Sequence, residues 1–197
     1  MRHLRGGEYI TPNISYINET KGVKSEAYIP PPPVQASNEI WYTSSDGNIV
    51  TPYATNVFGA NIVSNTYENG KGIITFDGPV TSIGEMAFIW CESLTSVIIP
   101  NGVTSFGFGA FEECYFLTSV TIPDSVTSIG DEAFYRCESL EEVYCKPTTP
   151  PRGASTMFKG SAYNRNLIIY VPTASVDAYK SAQYWSNYAS YIVGYNF

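Results

Sequence analysis

VTSFGFGAFEECYFLTSVTIPDS, residues 103–125, is flanked on both sides by copies of itself. Val80 to Gly102 reads VTSIGEMAFIWCESLTSVIIPNG, and Val126 to Thr148 reads VTSIGDEAFYRCESLEEVYCKPT. The three 23-residue blocks align without a gap, and nine positions are identical in all of them. A fixed period of this length is the signature of a repeat architecture, in which each block is one supersecondary unit. A single unit cannot bury its own apolar face, whereas a stack of units makes a continuous core.

The identities say how each unit is built. The columns Leu94/Leu117/Leu140, Val97/Val120/Val143 and Ile99/Ile122/Cys145 form an LxxVxI run, which predicts a short strand in each block. Like strands one block apart would pair at about 4.8 Å. The Ala-Phe pairs 87–88, 110–111 and 133–134, with Cys91, Cys114 and Cys137, fall on the return side. There a turn of α or 3₁₀ helix would drop each Phe inward. Gly84, Gly107 and Gly130 precede that turn and would allow the backbone to bend. Pro100 and Pro123 end the strands. Phe111, in the central block, is the side chain on which the core should depend most.

The segments outside the blocks read as the ends of the stack. In residues 34–79, EIWYTS and NIVTPY flank Asp46-Gly47 as one hairpin, and Ile62-Val63 and Ile73–Phe76 flank Asn69-Gly70 as a second. Ile74 and Phe76 lie 23 residues before Val97 and Ile99, so the second arm should feed directly into the sheet. Residues 149–197 read as a degenerate last repeat and a cap. Ile169 and Val171 resume the strand columns after an insertion holding Pro150, Pro151, Met157 and Phe158. TASVDAYKSA predicts a helix with Thr173 or Ser175 as N-cap, Trp185, Tyr188, Ala189 and Ile192 would pack on the last coil, and a strand is expected at Ile192–Tyr195. Residues 1–33 carry no copy of the repeat and end in Pro30–Pro33, an extended spacer. They read as a tail, or as an arm that oligomerises the chain through the strand-like YITPNISYI.

Composition excludes several functions. Apolar residues are 44% and charged residues only 15%, which describes a packed core beneath an uncharged polar surface rich in Ser, Thr, Asn and the sixteen Tyr. The net charge is −7 and the eleven Lys and Arg form no run, so nucleic acid is not a partner. Arg2, His3 and Arg5 are the only basic cluster. No apolar stretch is long enough for a membrane helix. The start MRHLRGGEYITPN has no apolar core after its basic residues and no Cys for a lipid, so it does not read as a signal peptide.

Catalysis has no candidates. The single His sits at position 3, and no motif for a nucleophile, a zinc hydrolase or a phosphate loop is present. The expectation is no enzyme, no cofactor and no metal. The 23-residue spacing of Cys91, Cys114 and Cys137 is no zinc pattern. Stacked cysteines would lie within disulfide distance but point in parallel, so they read as small buried apolar residues, as does Cys145.

The repeat resembles the BspA-type leucine-rich repeats of bacterial surface proteins, especially of Bacteroidales. The resemblance rests on SVTIPDSVTSIGDEAFYRCESL and its copies over residues 80–148. It extends more loosely through KPTTPP, IYVPTASVDAYKSA and IVGYNF, and NEIWYTSSDGNIVTPY resembles a lead-in of some members. It implies a leucine-rich-repeat solenoid: a right-handed α/β-type coil with a parallel sheet on one face and short helical or 3₁₀ turns opposite. It also implies a binding or adhesion module at the cell surface or secreted, with protein or glycan partners on host matrix or other cells. A structural subunit of a surface or phage-tail-like assembly, oligomerised by residues 1–33, is the other reading.

Partner choice should lie in the outward strand columns. These are Ile73, Ser96, Ser119, Glu142 and Ile168, and beside them Thr75, Ile98, Thr121, Tyr144 and Tyr170. Glu141, Glu142, Tyr144, Lys146 and Tyr170, continued by Ile98 and Thr121, form the candidate partner-binding site. Ile89, Trp90 and Phe108 form a second, apolar patch, with Trp90 expected to lie beneath the N-terminal segments. Five strands would span only about 19 Å, a contact area that favours weak binding multiplied over many copies.

Overall fold

Alternation along the strands sorts the chain into an inner and an outer set of side chains. The computed structural model describes residues 35–161 and 166–197; the expected arm and its proline spacer lie outside them. The first strands are β1 (Glu39–Ser44), β2 (Ile62–Glu68) and β3 (Lys71–Phe76). The repeats contribute two strands per block. β4 (Ser82–Ile83), β6 (Ser105–Phe106) and β8 (Ser128–Ile129) are short; β5 (Leu94–Ile98), β7 (Ser119–Ile122) and β9 (Glu142–Cys145) are the LxxVxI strands. β10 (Ile168–Pro172) and β11 (Ile192–Tyr195) follow.

The LxxVxI strands pair in parallel with like residues side by side. Val97 faces Val120, Val120 faces Val143, Val143 faces Ile169, and Ile169 faces Ile192. All five are buried, as are Leu94, Leu117 and Leu140. The sheet has eight strands in the order β11-β10-β9-β7-β5-β1-β3-β2. Eight strands span about 34 Å at ~4.8 Å per step, well beyond the five-strand estimate.

Two expectations upstream of the repeats are corrected. β1 makes no hairpin with residues 48–53; it lies between β3 and β5, antiparallel to both. Side chains hold Val50 instead: its N–H donates to Tyr42 Oη at 3.2 Å and its carbonyl accepts from Asn65 Nδ2 at 2.9 Å. Consequently β3 does not touch β5, although the 23-residue spacing put it there. The hairpin β2–β3 is present, turning at Asn69 and Gly70 with φ of 52° and 79°, the left-handed pair of a type I′ turn.

The return side of residues 80–148 also differs from expectation. It consists of hydrogen-bonded turns, not helix. β4, β6 and β8 pair there in parallel as a second, three-stranded sheet. The turns nonetheless deliver the phenylalanines inward. Phe88, Phe111 and Phe134 stack with ring centroids 5.1 and 5.4 Å apart and planes within 6°. The residues read as an insertion are a further turn of the same coil. Phe158 stacks on Phe134 at 5.2 Å, the Met157 carbonyl accepts from the Phe134 N–H, and Ser161 takes the cysteine slot. One extra residue hid them from a gapless alignment. At the other end, Phe58 packs on Phe88 at 5.7 Å.

The glycines serve a different purpose from the one expected. A Cβ at Gly130 would lie 2.8 Å from the carbonyl carbon of Gly107, and one at Gly107 would lie 2.5 Å from the Glu85 backbone nitrogen. Close approach of neighbouring coils demands glycine here, not a left-handed bend.

After β10 come a 3₁₀ turn (Thr173–Ser175), the helix α1 (Val176–Ser181) and a second 3₁₀ segment (Trp185–Tyr191). Ser175 stands at the N-cap but makes no cap bond; its hydroxyl donates to the Thr148 carbonyl at 2.7 Å. Tyr179 Oη and Trp185 Nε1 likewise donate to the carbonyls of Pro147 and Pro151, each at 2.7 Å. The proline segment has lost ladder donors, and these side chains satisfy carbonyls it leaves buried. Trp185, Tyr188 and Ile192 are buried, and Ala189 is half-buried.

Candidate functional site

A strand on the face of a sheet turns every second residue outward, and the register then lines those residues up across strands. Ile98, Thr121, Tyr144 and Tyr170 lie side by side on β5, β7, β9 and β10. Beside them run Ser96, Ser119, Glu142 and Ile168. These positions match the expected columns. Beyond β5 the columns change, because β1 intervenes. Trp41 pairs with Ile98 and Thr43 with Ser96, while Ile73 pairs with Trp41 and Thr75 with Glu39. Ile73 therefore continues the Ile98 column, not the Ser96 column.

The aromatic end of this face is larger than the sequence reading gave. Tyr144 and Tyr170 stack at 4.9 Å with planes 16° apart. Tyr195 meets both edge-on, at 5.8 and 5.3 Å, and Phe197 packs on Tyr195 at 5.0 Å. Tyr195 and Phe197 were missed, although IVGYNF signals them: Val193, Tyr195 and Phe197 alternate onto one face. Partial burial, reinforced by the Glu142 carboxylate, raises the Tyr144 phenol above its ordinary pKa. Tyr144 thus stays a neutral hydrogen-bonding group across the physiological range.

Trp41 is the other missed element. Its Nε1–H donates to Glu39 Oε2 at 2.7 Å, and Lys71 Nζ sits 3.0 Å from its ring centroid. Between Trp41 and Tyr144 stand Ile98, exposed at 44%, and the half-buried Thr121 with Ser119 beside it. An exposed isoleucine and two hydroxyl side chains thus separate the aromatic groups of this face.

Not every candidate belongs to it. Glu142, Tyr144, Tyr170, Ile98 and Thr121 share the face, and Lys146 lies exposed just past the end of β9. Glu141 does not join them. It lines a separate open cleft of about 760 Å³ with Tyr135, Arg136, Glu138 and Lys159. Arg136 is engaged there, 2.8 Å from Glu113 and 3.5 Å from Glu138.

The second patch does not form as grouped. Ile89 is 5% exposed and belongs to the interior, whereas Trp90 and Phe108 are open to solvent. Backbone bonds put Trp90 beside Glu112 and Phe108 beside Met86, so they occupy different points of the turn. Residues 34–79 cover Trp90 only in part, Tyr53 meeting its ring edge-on at 5.6 Å, and the expected cover by residues 1–33 lies outside the described residues.

The thiols fit the structural role read for them. Cys114 and Cys137 Sγ donate to the carbonyls of Phe88 and Phe111 at 3.0 and 3.1 Å, one coil back. Cys91 does the same toward Thr51 at 3.5 Å, and Cys145 Sγ lies 3.4 Å from Tyr179 Oη. Burial pushes the Cys91, Cys137 and Cys145 thiols up to about 12. Among the described residues no group of three or more His, Cys, Asp or Glu is placed to hold a metal ion. No helix among them is long and apolar enough to cross a membrane.

The BspA type leucine rich repeat region matches residues 60–180 in six copies, more than half of the 197-residue chain. No curated protein matches the chain. Among solved structures, a leucine rich cell surface protein from Faecalibacterium prausnitzii A2-165 is similar at 26% identity and a TM-score of 0.34. That match covers 56% of this chain, and the chain spans 32% of that protein's length. With six matched copies and like residues paired strand against strand, the chain belongs to the BspA-type leucine-rich-repeat family.

Proposed function

We propose that this chain is a non-catalytic binding module of the adhesion type, presenting its large sheet face to a protein or glycan partner. The observation that carries the reading is the ring cluster of Tyr144, Tyr170 and Tyr195 on the outward face of paired strands. Tyrosine supplies wide contact area with few rotors to freeze, and its hydroxyl bonds either a peptide or a sugar. The Ser119 and Thr121 hydroxyls beside it are neutral, which suits a partner selected by shape more than by charge. In this reading residues 34–79 and 149–197 close the two ends of a solenoid. A cell-surface or secreted setting, with partners on host matrix or neighbouring cells, belongs to the same proposal.

The test is a binding screen of the full chain against matrix proteins and glycan arrays, repeated with Tyr144→Ala and Tyr170→Ala. Each substitution should weaken a captured partner by about tenfold or more, the size of an aromatic contact hot spot. Binding that survives both substitutions would move the site off this face.

A further inference from the structure

Trp90 occupies a slot that the other blocks fill with charge. The same position holds Glu113 in the second block and Arg136 in the third, and the three share a left-handed φ of 60°, 55° and 54°. The geometry therefore belongs to the repeat and projects whatever side chain it carries away from the core. In two blocks that is an ion, Glu113 and Arg136 pairing with each other at 2.8 Å; in the first it is an indole, 55% exposed.

Residues 49–53 give this indole a companion. The Tyr53 N–H donates to the Ala87 carbonyl at 2.9 Å, and the Thr51 carbonyl accepts from Cys91 Sγ, so the segment is fastened to the first coil. Tyr53 is 62% exposed and its ring stands nearly perpendicular to Trp90, at 83°. Two perpendicular rings make a corner with π faces on both sides. Ile49 and Glu92 line the same open hollow, of about 520 Å³. Among the described residues no lysine or arginine lines it. Asp46, three residues before Ile49, is held ionised by bonds from Ser44 and Asn48, and the chain as a whole carries −7.

Aromatic faces attract cations, and a nearby carboxylate adds to that attraction. We propose that the Tyr53–Trp90 corner, with Glu92 beside it, docks a lysine or arginine side chain carried by a basic segment of a partner protein. The negative lining selects against acidic partners, and the paired rings distinguish the hollow from an ordinary acidic surface. This site is separate from the sheet face and does not depend on Tyr144 or Tyr170.

The test uses the full chain, labelled with ¹⁵N, titrated with acetylated pentalysine amide at low salt while the indole N–H signals of Trp41, Trp90 and Trp185 are followed. The Trp90 signal should shift saturably, and that of Trp185, buried and bonded to Pro151, should stay in place. Trp90→Leu and Tyr53→Leu should each weaken binding by at least about fivefold, and Glu92→Gln by about twofold to fourfold. Tyr144→Ala and Tyr170→Ala should leave it unchanged, which separates this proposal from the sheet-face reading. Melting temperatures of the variants confirm that each is folded. An unmoved Trp90 signal, equal binding of acetylated pentaglutamine amide or choline chloride, or undiminished binding by both ring variants would each overturn the proposal.

Discussion

Phe111 shows how much one side chain can carry in a stack. It is fully buried, sandwiched between Phe88 and Phe134 and flanked by Phe106. Phe111→Ala should cost about 3–5 kcal/mol, because coils held by backbone bonds on both sides cannot collapse into the void. Urea denaturation of the two proteins measures it, and a difference below about 1 kcal/mol would mean the ring contributes little. The cysteines make a second expectation at this scale. In the folded chain the Cys137 and Cys145 thiols stay protonated up to about 12, whereas an unfolded thiol ionises near ~8.5. Their contribution to stability is therefore complete below the unfolded value and is lost as pH rises through the folded one. At pH 9 the native protein should react with iodoacetamide far more slowly than the protein in urea, as mass spectrometry would show. Equal rates would place these thiols outside the core.

At the scale of elements, the glycine column sets how closely coils approach. Gly130→Ala should destabilise by about 1–3 kcal/mol, since the added methyl meets backbone rather than a yielding side chain. The same substitution at Gly47, where a Cβ meets nothing, would be strained only through its φ of +72° and serves as the comparison in thermal melts. A Gly130 variant that melts with wild type would mean the coils can spread. Asp77 offers a pH test. Its carboxylate accepts from the Asn61 N–H and Nδ2, both at 2.8 Å, and these bonds hold it below the ordinary carboxylate pKa. That stabilisation is present above the unfolded value and disappears as pH falls through the folded one. Asp77→Asn should thus flatten the acid limb of the stability profile and leave the alkaline limb alone.

The element scale also shows what the sequence could reveal. Identical columns over residues 80–148 foretold the parallel strands, their register and the inward phenylalanines, because one residue type at one period has a single geometric explanation. The turn at Asn69-Gly70 and the last strand were legible for similar local reasons. The position of β1 was not: a strand can pair with any compatible edge, and EIWYTS reads the same beside NIVTPY as between β3 and β5. Phe158 and Ser161 were hidden by one extra residue. In the site, Tyr144 and Tyr170 could be assigned to one face from alternation, but the departure of Glu141 could not, since it precedes the strand that fixes direction. Tyr53 and Trp90 lie 37 residues apart, and only the folded loop brings them together.

The whole described unit has one core. A continuous apolar cluster runs from Ile40 through the phenylalanine stack to Ile192. No polar layer divides the coils, so unfolding should be a single transition. In a Trp41→Phe, Trp90→Phe background, Trp185 emission reports one end of the stack and far-ultraviolet circular dichroism reports all of it. Coincident curves are expected; an earlier loss of emission would mean the C-terminal coils melt on their own.

The exact 23-residue recurrence has a genetic corollary. Because residues 103–125 meet a near-copy of themselves on either side, duplicating or deleting that block in frame leaves each junction between coils chemically familiar. Unequal recombination within such a gene would change the length of the displayed surface in whole rungs of about 4.8 Å, with no intermediate lengths to be tolerated. The molecule is thus built so that heredity can resize it without redesigning it.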